Sequence, residues 1–439
     1  MPTSVAIIGS GPAGFYAADA LLKACDSCEI DIIERLPTPF GLVRGGVAPD
    51  HQSTKRVVEK FERTAMAEAV NYYGNVEVNR DVGLAELRQI YDAVILAIGA
   101  PKDRTLNIPG ADKHGVYGSA ALVGWYNGHP DFQFLEPDLA ASAAVIGHGN
   151  VAVDVARVLL RSPDEMRRLD IPDYAQARIE SAAISDIHLV GRRGPLQGKF
   201  SDLELRELLE MQDAVPLVRA DQLPSDADLA LGGLDDRERR AHQHNLATLR
   251  AFSAHRREEK PKAIHIEFCA RPVEVLGGDR VTGLRLERTR LIGSTVEARA
   301  EGTGETFDID CGLIVTAIGY RADPMDGAPY DVERGIIQND QGRVDDGLYC
   351  VGWIQHGPRG VISSNRDDGR AVAEQISQAF GGGSEKIGRA GFESMLAERR
   401  VRRVSFADWK RLEAMEVANA EDGAPRRKFV SVEEMLEAI

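Results

Sequence analysis

Two glycine-rich segments of the chain have the residue types and spacing that bind the pyrophosphate of a dinucleotide. The first, GSGPAG at residues 9–14, follows an apolar segment at residues 4–8 and precedes a helical pattern at residues 15–24. Glycines here permit a tight turn and a close approach of the backbone, and the helix start offers free N–H groups. Glu34 ends the next predicted strand, where a carboxylate accepts hydrogen bonds from ribose hydroxyls. The residues predicted to hold this dinucleotide are Gly9, Gly11, Pro12, Ala13, Gly14 and Glu34.

The second glycine-rich segment, GHGNVA at residues 147–152, lies between a predicted strand at residues 143–146 and a predicted helix at residues 151–160. Its final alanine is tolerated by the fingerprint. No acid ends the following predicted strand, and Arg192 and Arg193 stand there instead. Paired guanidiniums can hold a ribose 2′-phosphate bidentately, whereas an acid would repel it. The second site is therefore predicted to select NADP over NAD.

Two dinucleotide sites in one chain indicate one tightly bound nucleotide and one that exchanges. FAD with NADP(H) is the economical pair, because a flavin accepts hydride and releases electrons singly. The sequence thus predicts a flavoprotein oxidoreductase.

Apolar segments that end in glycine recur along the chain and indicate how it is divided. The segments at residues 92–98 and 313–318 end in Gly99 and Gly319, and another at residues 348–351 precedes Gly352. We predict an α/β fold of two doubly wound, Rossmann-like dinucleotide-binding domains, with the NADP domain inserted in a discontinuous FAD domain. The predicted boundaries are 1–103 for the first part of the FAD domain, 104–319 for the NADP domain, and 320–439 for the second part of the FAD domain with a C-terminal extension.

Two polar regions complete this organisation. Residues 224–260 are predicted to form an exposed loop and helix, with Asp235 and Asp236 near the helix start, where acids suit the helix dipole. A further helix is predicted around residues 406–417.

The net charge of −15 argues against nucleic-acid binding and against docking on an anionic membrane. No apolar run is long enough to span a bilayer, so no membrane insertion is expected. The cysteines form an odd, scattered set that fits a reducing compartment, and we expect a cytoplasmic protein. They are Cys25, Cys28, Cys269, Cys311 and Cys350.

Three other groups of residues carry weaker signals. The pair Cys25 and Cys28 is interpreted as incidental thiols rather than a redox dithiol. His242 and His244 lack cysteine or acidic partners at ligand spacing, so no metal is expected. His51 follows a glycine-rich stretch, and the residues alone leave open whether it tunes charge or carries protons beside a flavin.

Several longer motifs together resemble the adrenodoxin reductase family and its bacterial NADPH–ferredoxin reductase relatives. The match runs in order over nearly the whole chain. The motifs are PFGLVR at 39–44, VAPDH at 47–51, VGWYN at 123–127, GNVA at 149–152, VGRRGPLQ at 190–197, GW at 352–353, GP at 357–358 and GVI at 360–362. The resemblance separates this chain from thioredoxin reductases, whose cysteine pair lies in the NADPH module.

The resemblance implies a role for each matching residue. Contacts with FAD are implied for Ala13, Glu34, Leu42, Val82, Trp353, Gly360, Val361 and Ile362. The NADP site would contain Gly147, His148, Gly149, Asn150, Val151, Arg192, Arg193 and Glu204, with Gly360 where nicotinamide meets flavin. His51 and Asp154 would be catalytic residues close to the isoalloxazine, and Glu207 would be a further catalytic participant.

The resemblance also implies hydride transfer from NADPH to FAD, followed by single-electron transfer to a [2Fe-2S] ferredoxin that serves a cytochrome P450 or another oxygenase. A basic patch on the NADP module would dock that partner, although a solvated helix face explains the same charges equally well. It consists of Arg206, Arg237, Arg239, Arg240, Arg256 and Arg257. Two rival functions are an NADPH diaphorase or quinone reductase and an electron-input subunit of a larger complex.

The chain departs from the family pattern at two places. His148 stands where glutamine or asparagine is usual, which leaves open a pH-dependent NADP affinity. Gln355, His356 and Arg359 stand where lysine-arginine and threonine are frequent, which changes the charge near the flavin edge.

Overall fold

The structure, a computed structural model, describes residues 2–225, 234–293, 297–380 and 385–439. Its strands are β1 Thr3–Ile8, β2 Cys28–Ile33, β3 Val70–Tyr73, β4 Ala93–Leu96, β5 Lys102–Asp103, β6 Val116–Gly118, β7 Ser142–Ile146, β8 Asp186–Val190, β9 Ala214–Val218, β10 Lys262–Glu267, β11 Ala270–Leu276, β12 Gly283–Ile292, β13 Arg299–Asp310, β14 Leu313–Thr316, β15 Tyr320–Arg321, β16 Tyr330–Asp331, β17 Ile336–Ile337, β18 Arg343–Asp345 and β19 Leu348–Cys350.

Its helices are α1 Pro12–Ala24, α2 Leu42–Gly45, α3 Gln52–Lys55, α4 Val58–Ala65, α5 Leu84–Ile90, α6 Ser119–Asn127, α7 Asn150–Leu160, α8 Pro163–Met166, α9 Asp173–Glu180, α10 Asp202–Glu210, α11 Asp236–Phe252, α12 Trp353–His356, α13 Asn365–Phe380, α14 Arg389–Glu398, α15 Phe406–Ala418 and α16 Val432–Glu437. Within the described ranges, no helix combines the length and apolar character needed to cross a lipid bilayer.

Two six-stranded sheets form the framework of the molecule. The first has the order β18-β19-β4-β1-β2-β3 and is parallel except for β18. The second has the order β6-β14-β7-β8-β10-β9 and is parallel throughout. Because β18 and β19 come from the C-terminal part of the chain and join the N-terminal strands, the first sheet is discontinuous in sequence. This confirms the predicted fold of two dinucleotide-binding domains, one inserted in the other.

The chain crosses between the two sheets twice, and the crossings lie side by side. Strand β5 follows Gly99, strand β15 begins at Tyr320, and the two pair in an antiparallel ladder. The exact predicted boundaries, 103/104 and 319/320, remain predictions, although both fall at this ladder.

Apolar strands with helices on both faces build the core of each domain. Strand β1 is buried along its whole length, and helix α1 buries Phe15, Ala17 and Leu21 against it. In the second domain, helix α7 buries a continuous apolar stripe against β7 and β8. Such double-sided burial is typical of parallel sheets and explains why their strands read as short apolar runs.

The predicted polar regions are confirmed where the structure describes them. Helix α11 begins after Asp235, whose carboxylate accepts hydrogen bonds from the N–H groups of Arg237 and Glu238. Part of the predicted loop, residues 226–233, lies outside the described residues. Helix α15 matches the predicted helix near residue 406 to within one residue at its end.

An antiparallel sheet of β11, β12 and β13 was not predicted. It covers the end of the second domain, and its β12 binds the loop after β8, where the Thr289 hydroxyl donates to the carbonyl of Arg192 at 2.7 Å.

Candidate active site

The turn between β1 and α1 has the form of a pyrophosphate cradle. Gly9 adopts a φ of 107°, and a Cβ at Gly14 would collide with the carbonyl oxygen of Gly9. A Cβ at Gly11, in contrast, would meet no atom within 4 Å. Two glycines thus shape the turn, and the third leaves open space at the N-terminus of α1. This fits a dinucleotide, because its phosphates need bare backbone N–H groups there.

Glu34 lies at the end of β2, directly beside this cradle. One carboxylate oxygen accepts hydrogen bonds from the N–H and the hydroxyl of Ser10, at 3.0 and 2.7 Å. The other accepts from the N–H of Leu36 at 3.1 Å. These bonds hold the carboxylate at the position where the sequence predicts a ribose contact.

The loop at residues 39–46 folds over the same turn. Phe40 donates its N–H to the carbonyl of Ser10 at 3.0 Å, and a Cβ at Gly41 would lie 3.0 Å from Cα of Gly11. Leu42 is 45% exposed beside this contact. The loop is anchored from behind by Arg44, which binds the fully buried Glu416 of α15 at 2.5 and 2.9 Å. The C-terminal helices therefore hold the loop that is predicted to contact FAD.

The other residues predicted for FAD lie in two places. Val82 is only 1% exposed and packs in the core. Only a small part of its surface is therefore accessible for the predicted contact with FAD. Gly352 precedes α12 with a φ of 74°, and a Cβ there would lie 2.6 Å from Cβ of Ala13. The segment that begins with Trp353 therefore starts beside the first cradle.

After Trp353 the chain forms an exposed loop. The indole N–H of Trp353 donates to the carbonyl of Arg359 at 3.1 Å. Gly360 adopts a φ of 79°, Val361 is 67% exposed, and Ile362 is half-buried. The exposed backbone of this loop suits the predicted place where nicotinamide meets flavin.

The turn between β7 and α7 repeats the cradle. Gly147 adopts a φ of 142°, and a Cβ at Gly149 would meet no atom within 4 Å. The side-chain oxygen of Asn150, the first residue of α7, accepts a hydrogen bond from the N–H of Ser201 at 2.9 Å, and Val151 packs on the core behind it. The second cradle fits a dinucleotide by the same test as the first.

The ring of His148 turns into the protein. Its Nε2 bonds the carbonyl oxygen of Leu189 at 3.1 Å, and its ring centroid lies 4.7 Å from that of Phe268. Burial lowers the pKa of His148 to about 4, so the ring stays neutral near pH 7. A pH-dependent NADP affinity through this ring is therefore not supported, and the Nε2 proton is already used inside the domain.

Arg192 and Arg193 follow β8 at the edge where α7 begins. The side chain of Arg192 is exposed, and Arg193 makes only a long contact of 3.5 Å with the carbonyl of Gln197. Among the residues that the structure describes, no carboxylate pairs with either guanidinium. Two unpaired cations beside a cradle suit the predicted 2′-phosphate.

The three predicted catalytic residues meet in one cluster between the two domains. His51 Nε2 lies 2.8 Å from Glu207 Oε2, and Asp154 lies on α7 across from them. Glu204, whose role in the NADP site stays a prediction, also belongs to this cluster, with Oε2 3.6 Å from His51 Nε2. Residues from the FAD loop and from α7 and α10 therefore converge.

The centre of the cluster is Arg157, a residue that the sequence did not predict. Its side chain is fully buried and contacts Asp50, Asp154, Glu204, Glu207 and His51 at 2.6–3.1 Å. Asp50 is also bound by Arg161 at 2.5 Å. A spacing signal exists, since Asp154 and Arg157 fall three residues apart on α7, where side chains are neighbours, and Arg161 directly follows that helix.

The cluster around Arg157 has more acidic groups than permanent cations, and this imbalance shifts the pKa values of its members. Burial, and then the charge of Asp154, raises the pKa of Glu204 to about 7. Burial also raises the pKa of Asp154, against the attraction of Arg157. Burial opposes the charged form of His51, but the hydrogen bond to Glu207 and the charges of Asp154 and Asp50 together outweigh this and raise its pKa. The cluster can therefore hold an exchangeable proton near neutral pH.

His51, Glu204 and Glu207 lie close enough to share a metal ion, and they are the one such group within the described ranges. The Arg157 guanidinium lies 3.0 and 3.1 Å from the two glutamates and occupies the cationic position. A guanidinium thus already stands where a metal ion would bind these two glutamates.

The remaining sequence candidates do not join the site. Burial raises the pKa of both Cys25 and Cys28, to about 11 for Cys28, which argues against reactive thiolates. In the basic patch, three arginines are paired with acids within the NADP domain, and exposed Arg237 and Arg240 make no described ion pair. The paired residues are Arg206, Arg239 and Arg257.

Two open cradles on separate parallel sheets, with a proton-holding cluster between them, define a two-dinucleotide flavoprotein oxidoreductase. The sequence profile described as "Pyridine nucleotide-disulphide oxidoreductase" matches residues 3–210. The chain belongs to the NADPH:adrenodoxin oxidoreductase family, whose members include the mycobacterial NADPH-ferredoxin reductase FprA. Its cofactors are FAD and NADP(H).

The similarity extends over full chains. The human mitochondrial NADPH:adrenodoxin oxidoreductase is 42% identical, with 98% of this chain and 91% of that protein covered. FprA of Mycobacterium tuberculosis is 39% identical, with 99% and 98% covered. The solved structure of FprA in complex with NADPH superposes with a TM-score of 0.94 at 38% identity, covering 100% of this chain and 99% of that one.

Proposed function

We propose that this protein is an NADPH-dependent ferredoxin reductase whose electron acceptor is a [2Fe-2S] ferredoxin. The observation that carries the proposal is the pair of open cradles at Gly11 and Gly149. Only the second cradle has two arginines beside it, Arg192 and Arg193, that make no described ion pair. The names of the relatives, adrenodoxin oxidoreductase and ferredoxin reductase, support the choice of acceptor. FAD held at the first cradle would supply the chemistry of accepting a hydride and releasing electrons singly.

The residues of this chain would act by positioning and by electrostatics. Glu34 and the loop at residues 39–46 would hold FAD together with the segment from Trp353 to Ile362. Arg192 and Arg193 would select the 2′-phosphate by charge-assisted hydrogen bonds. Pre-organised contacts of this kind would hold the nicotinamide and the flavin in the orientation that hydride transfer needs.

The cluster around Arg157 would manage the proton that accompanies reduction. His51 Nε2 lies within hydrogen-bond distance of both a donor, Arg157 at 2.7 Å, and an acceptor, Glu207 at 2.8 Å. A protonated Nε2 donates to Glu207, and a deprotonated Nε2 accepts from Arg157. Both forms of the ring are therefore stabilised, which suits a group that gains and loses a proton.

The exposed face of α11 is the proposed docking surface for a ferredoxin that presents carboxylates. Arg237 and Arg240 are exposed there and make no described ion pair, so they are available to carboxylates of a partner. Local complementarity outweighs a net charge of −15, because steering depends on the facing patches. The free cysteines support a reducing, cytoplasmic location, and an oxygenase such as a cytochrome P450 is the proposed final acceptor.

The acceptor is tested by steady-state cytochrome c reduction with NADPH and increasing [2Fe-2S] ferredoxin. We expect a low KM for ferredoxin that rises in the double variant Arg237→Glu/Arg240→Glu, with an unchanged rate toward ferricyanide. Efficient reduction of a quinone with no dependence on ferredoxin would instead favour the diaphorase function.

A further inference from the structure

One histidine outside the central cluster lies beside the loop that is proposed to meet both cofactors. His356 is the last residue of α12, and Gly357 follows it with a φ of 83°. Its Nδ1 lies 2.8 Å from the carbonyl oxygen of Gly357. Its Nε2 lies 3.0 Å from Oδ2 of Asp368, on α13. Both ring nitrogens therefore face oxygen atoms.

The two contacts of His356 define the protonation state that the geometry requires. A backbone carbonyl and a carboxylate both only accept hydrogen bonds, so each ring nitrogen must carry a proton for both contacts to form. A neutral imidazole has one N–H and would satisfy only one of them. The other ring nitrogen would then present a lone pair to an oxygen. The arrangement therefore fits an imidazolium.

The charged groups that face His356 also favour the imidazolium form. Asp368 is the acid that packs against it from α13, and Arg359 is the nearby cation in the loop. The strand β17, which packs against α12, offers only Ile336 and Ile337. The hydrogen bond to Asp368 raises the pKa of His356 above its ordinary value of 6.5.

The imidazolium connects two elements that frame the loop at residues 357–362. The Gly357 carbonyl accepts from His356 and also from the N–H of Arg359 at 2.8 Å. At the other end of the loop, the Asn365 side chain donates to the carbonyl of Ile362 at 2.9 Å. Asn365 and Asp368 both belong to α13, so the helix holds the loop at its end directly and at its start through His356.

We propose that His356, bound to Asp368, is a protonation-dependent positioning residue that fixes the Gly357–Ile362 loop for hydride transfer. The inference rests on the proposed function, because only there is this loop assigned to the two cofactors. Loss of the ring proton would release one end of the bridge and leave the loop free to shift. A shift of about 1 Å at a reacting centre can slow a reaction by up to about 100-fold.

The first test observes the ring itself and needs no enzymatic activity. The FAD-loaded protein is labelled with ¹⁵N-histidine, and its two-bond ¹H–¹⁵N spectra are recorded from pH 5.5 to 9. The signal of His356 is assigned by its absence in His356→Gln. We expect both nitrogens to be protonated at pH 7, with a midpoint that falls in Asp368→Asn. A neutral His356 ring at pH 6.5 in the unsubstituted protein would overturn the proposal.

The second test measures the rate of flavin reduction by NADPH in a stopped-flow instrument. His356→Gln should be about 10-fold slower at pH 7, since it loses a charge-assisted bridge. In the unsubstituted protein, the rate of flavin reduction should fall at alkaline pH as His356 and the central cluster lose protons. His356→Arg supplies a permanent cation. It should therefore remove the part of this fall that comes from His356 and keep the part that comes from the central cluster. Wild-type rates and an unchanged pH profile in both variants would contradict the positioning role.

The two tests separate this inference from the proposed function. If the unsubstituted protein binds FAD but does not oxidise NADPH, the proposed function fails, and the spectra still report the state of His356. If it oxidises NADPH normally and His356 is neutral, only the inference fails.

Discussion

Arg157 on α7 donates to the carboxylate of Asp50 at 2.6 Å, and this buried ion pair joins the two dinucleotide-binding domains. Asp50 immediately precedes His51 and follows the loop predicted to contact FAD, whereas α7 begins at the second cradle. The same contact therefore fixes the position of His51 relative to both cradles. Burial opposes the ionised form of Asp50, but Arg157 and Arg161 outweigh this and lower its pKa.

Replacing Arg157 should destabilise the protein strongly. Arg157→Ala leaves several buried carboxylates without their cation, and breaking such a network costs about 3–5 kcal/mol. Urea denaturation at pH 7 measures the free energy of unfolding. Arg167→Ala is the matched control, since Arg167 forms an exposed helical pair with Asp164 and should cost at most about 1 kcal/mol. Similar losses for both variants would contradict the central position of Arg157.

The raised pKa of Glu204 predicts a pH-dependent stability. A carboxyl whose folded pKa is about 7, above its ordinary 4.5, contributes stability that is present below pH 4.5 and is lost as pH rises through 7. The unsubstituted protein should therefore lose stability relative to Glu204→Gln between pH 5.5 and 8. We expect at most about 2 kcal/mol, allowing for partial contact with solvent.

Urea denaturation of both proteins at pH 5.5 and 8 checks this difference. The exposed Glu210→Gln on the same helix serves as the control and should follow the unsubstituted protein. A pH-independent difference between Glu204→Gln and the unsubstituted protein would show that Glu204 is ionised throughout.

The arginine pair predicts discrimination between nucleotides. Arg192→Ala/Arg193→Ala should weaken NADPH binding by about 3 kcal/mol and barely change NADH binding, because each charged hydrogen bond contributes about 1.5–3 kcal/mol. Titration of the FAD-loaded protein with NADP+ and NAD+, which carry the same ribose groups as NADPH and NADH but do not reduce the flavin, measures the two Kd values. Arg290→Ala, which removes an exposed arginine paired with Glu301, is the control. Equal losses for both nucleotides would overturn the assignment to the 2′-phosphate.

Glu34 is predicted to retain FAD. Glu34→Ala removes the acceptor of the Ser10 and Leu36 hydrogen bonds together with the proposed ribose contact, so FAD affinity should fall by about 10-fold or more. Flavin content after dialysis, measured by absorbance, reports this loss. Glu77→Ala, at an exposed surface pair with Arg80, should keep its FAD. Full retention of FAD by Glu34→Ala would count against the ribose role.

Local patterns predicted much of the fold. Each cradle depends on glycines at fixed offsets between a strand and a helix. Gly9 supplies the positive φ, Gly14 the close approach of two backbone segments, and Gly11 the open space that this turn requires. The discontinuous first domain was predicted as well, because strand endings near Gly99 and Gly352 repeat the first module.

Contacts between distant segments could not be read from such patterns. Arg157 reads as one polar residue on an amphipathic helix. Only the packing of the two domains gives it Asp50 as a partner, and only the position of α10 within its own domain gives it Glu204. The sheet of β11–β13 was missed because its strands are polar and partly exposed. The contacts of the His148 ring with Phe200 and Phe268 were not predicted, because those residues are distant from it in sequence; its place in the NADP site stays a prediction.

The central claim is that one cradle holds FAD and the other selects NADPH. The most direct test is an anaerobic titration of the purified protein with NADPH and then with NADH, followed in the visible spectrum. We predict a yellow protein that bleaches at a far lower concentration of NADPH than of NADH. A colourless protein that cannot be reconstituted with FAD, or equal bleaching by both nucleotides, would contradict the account.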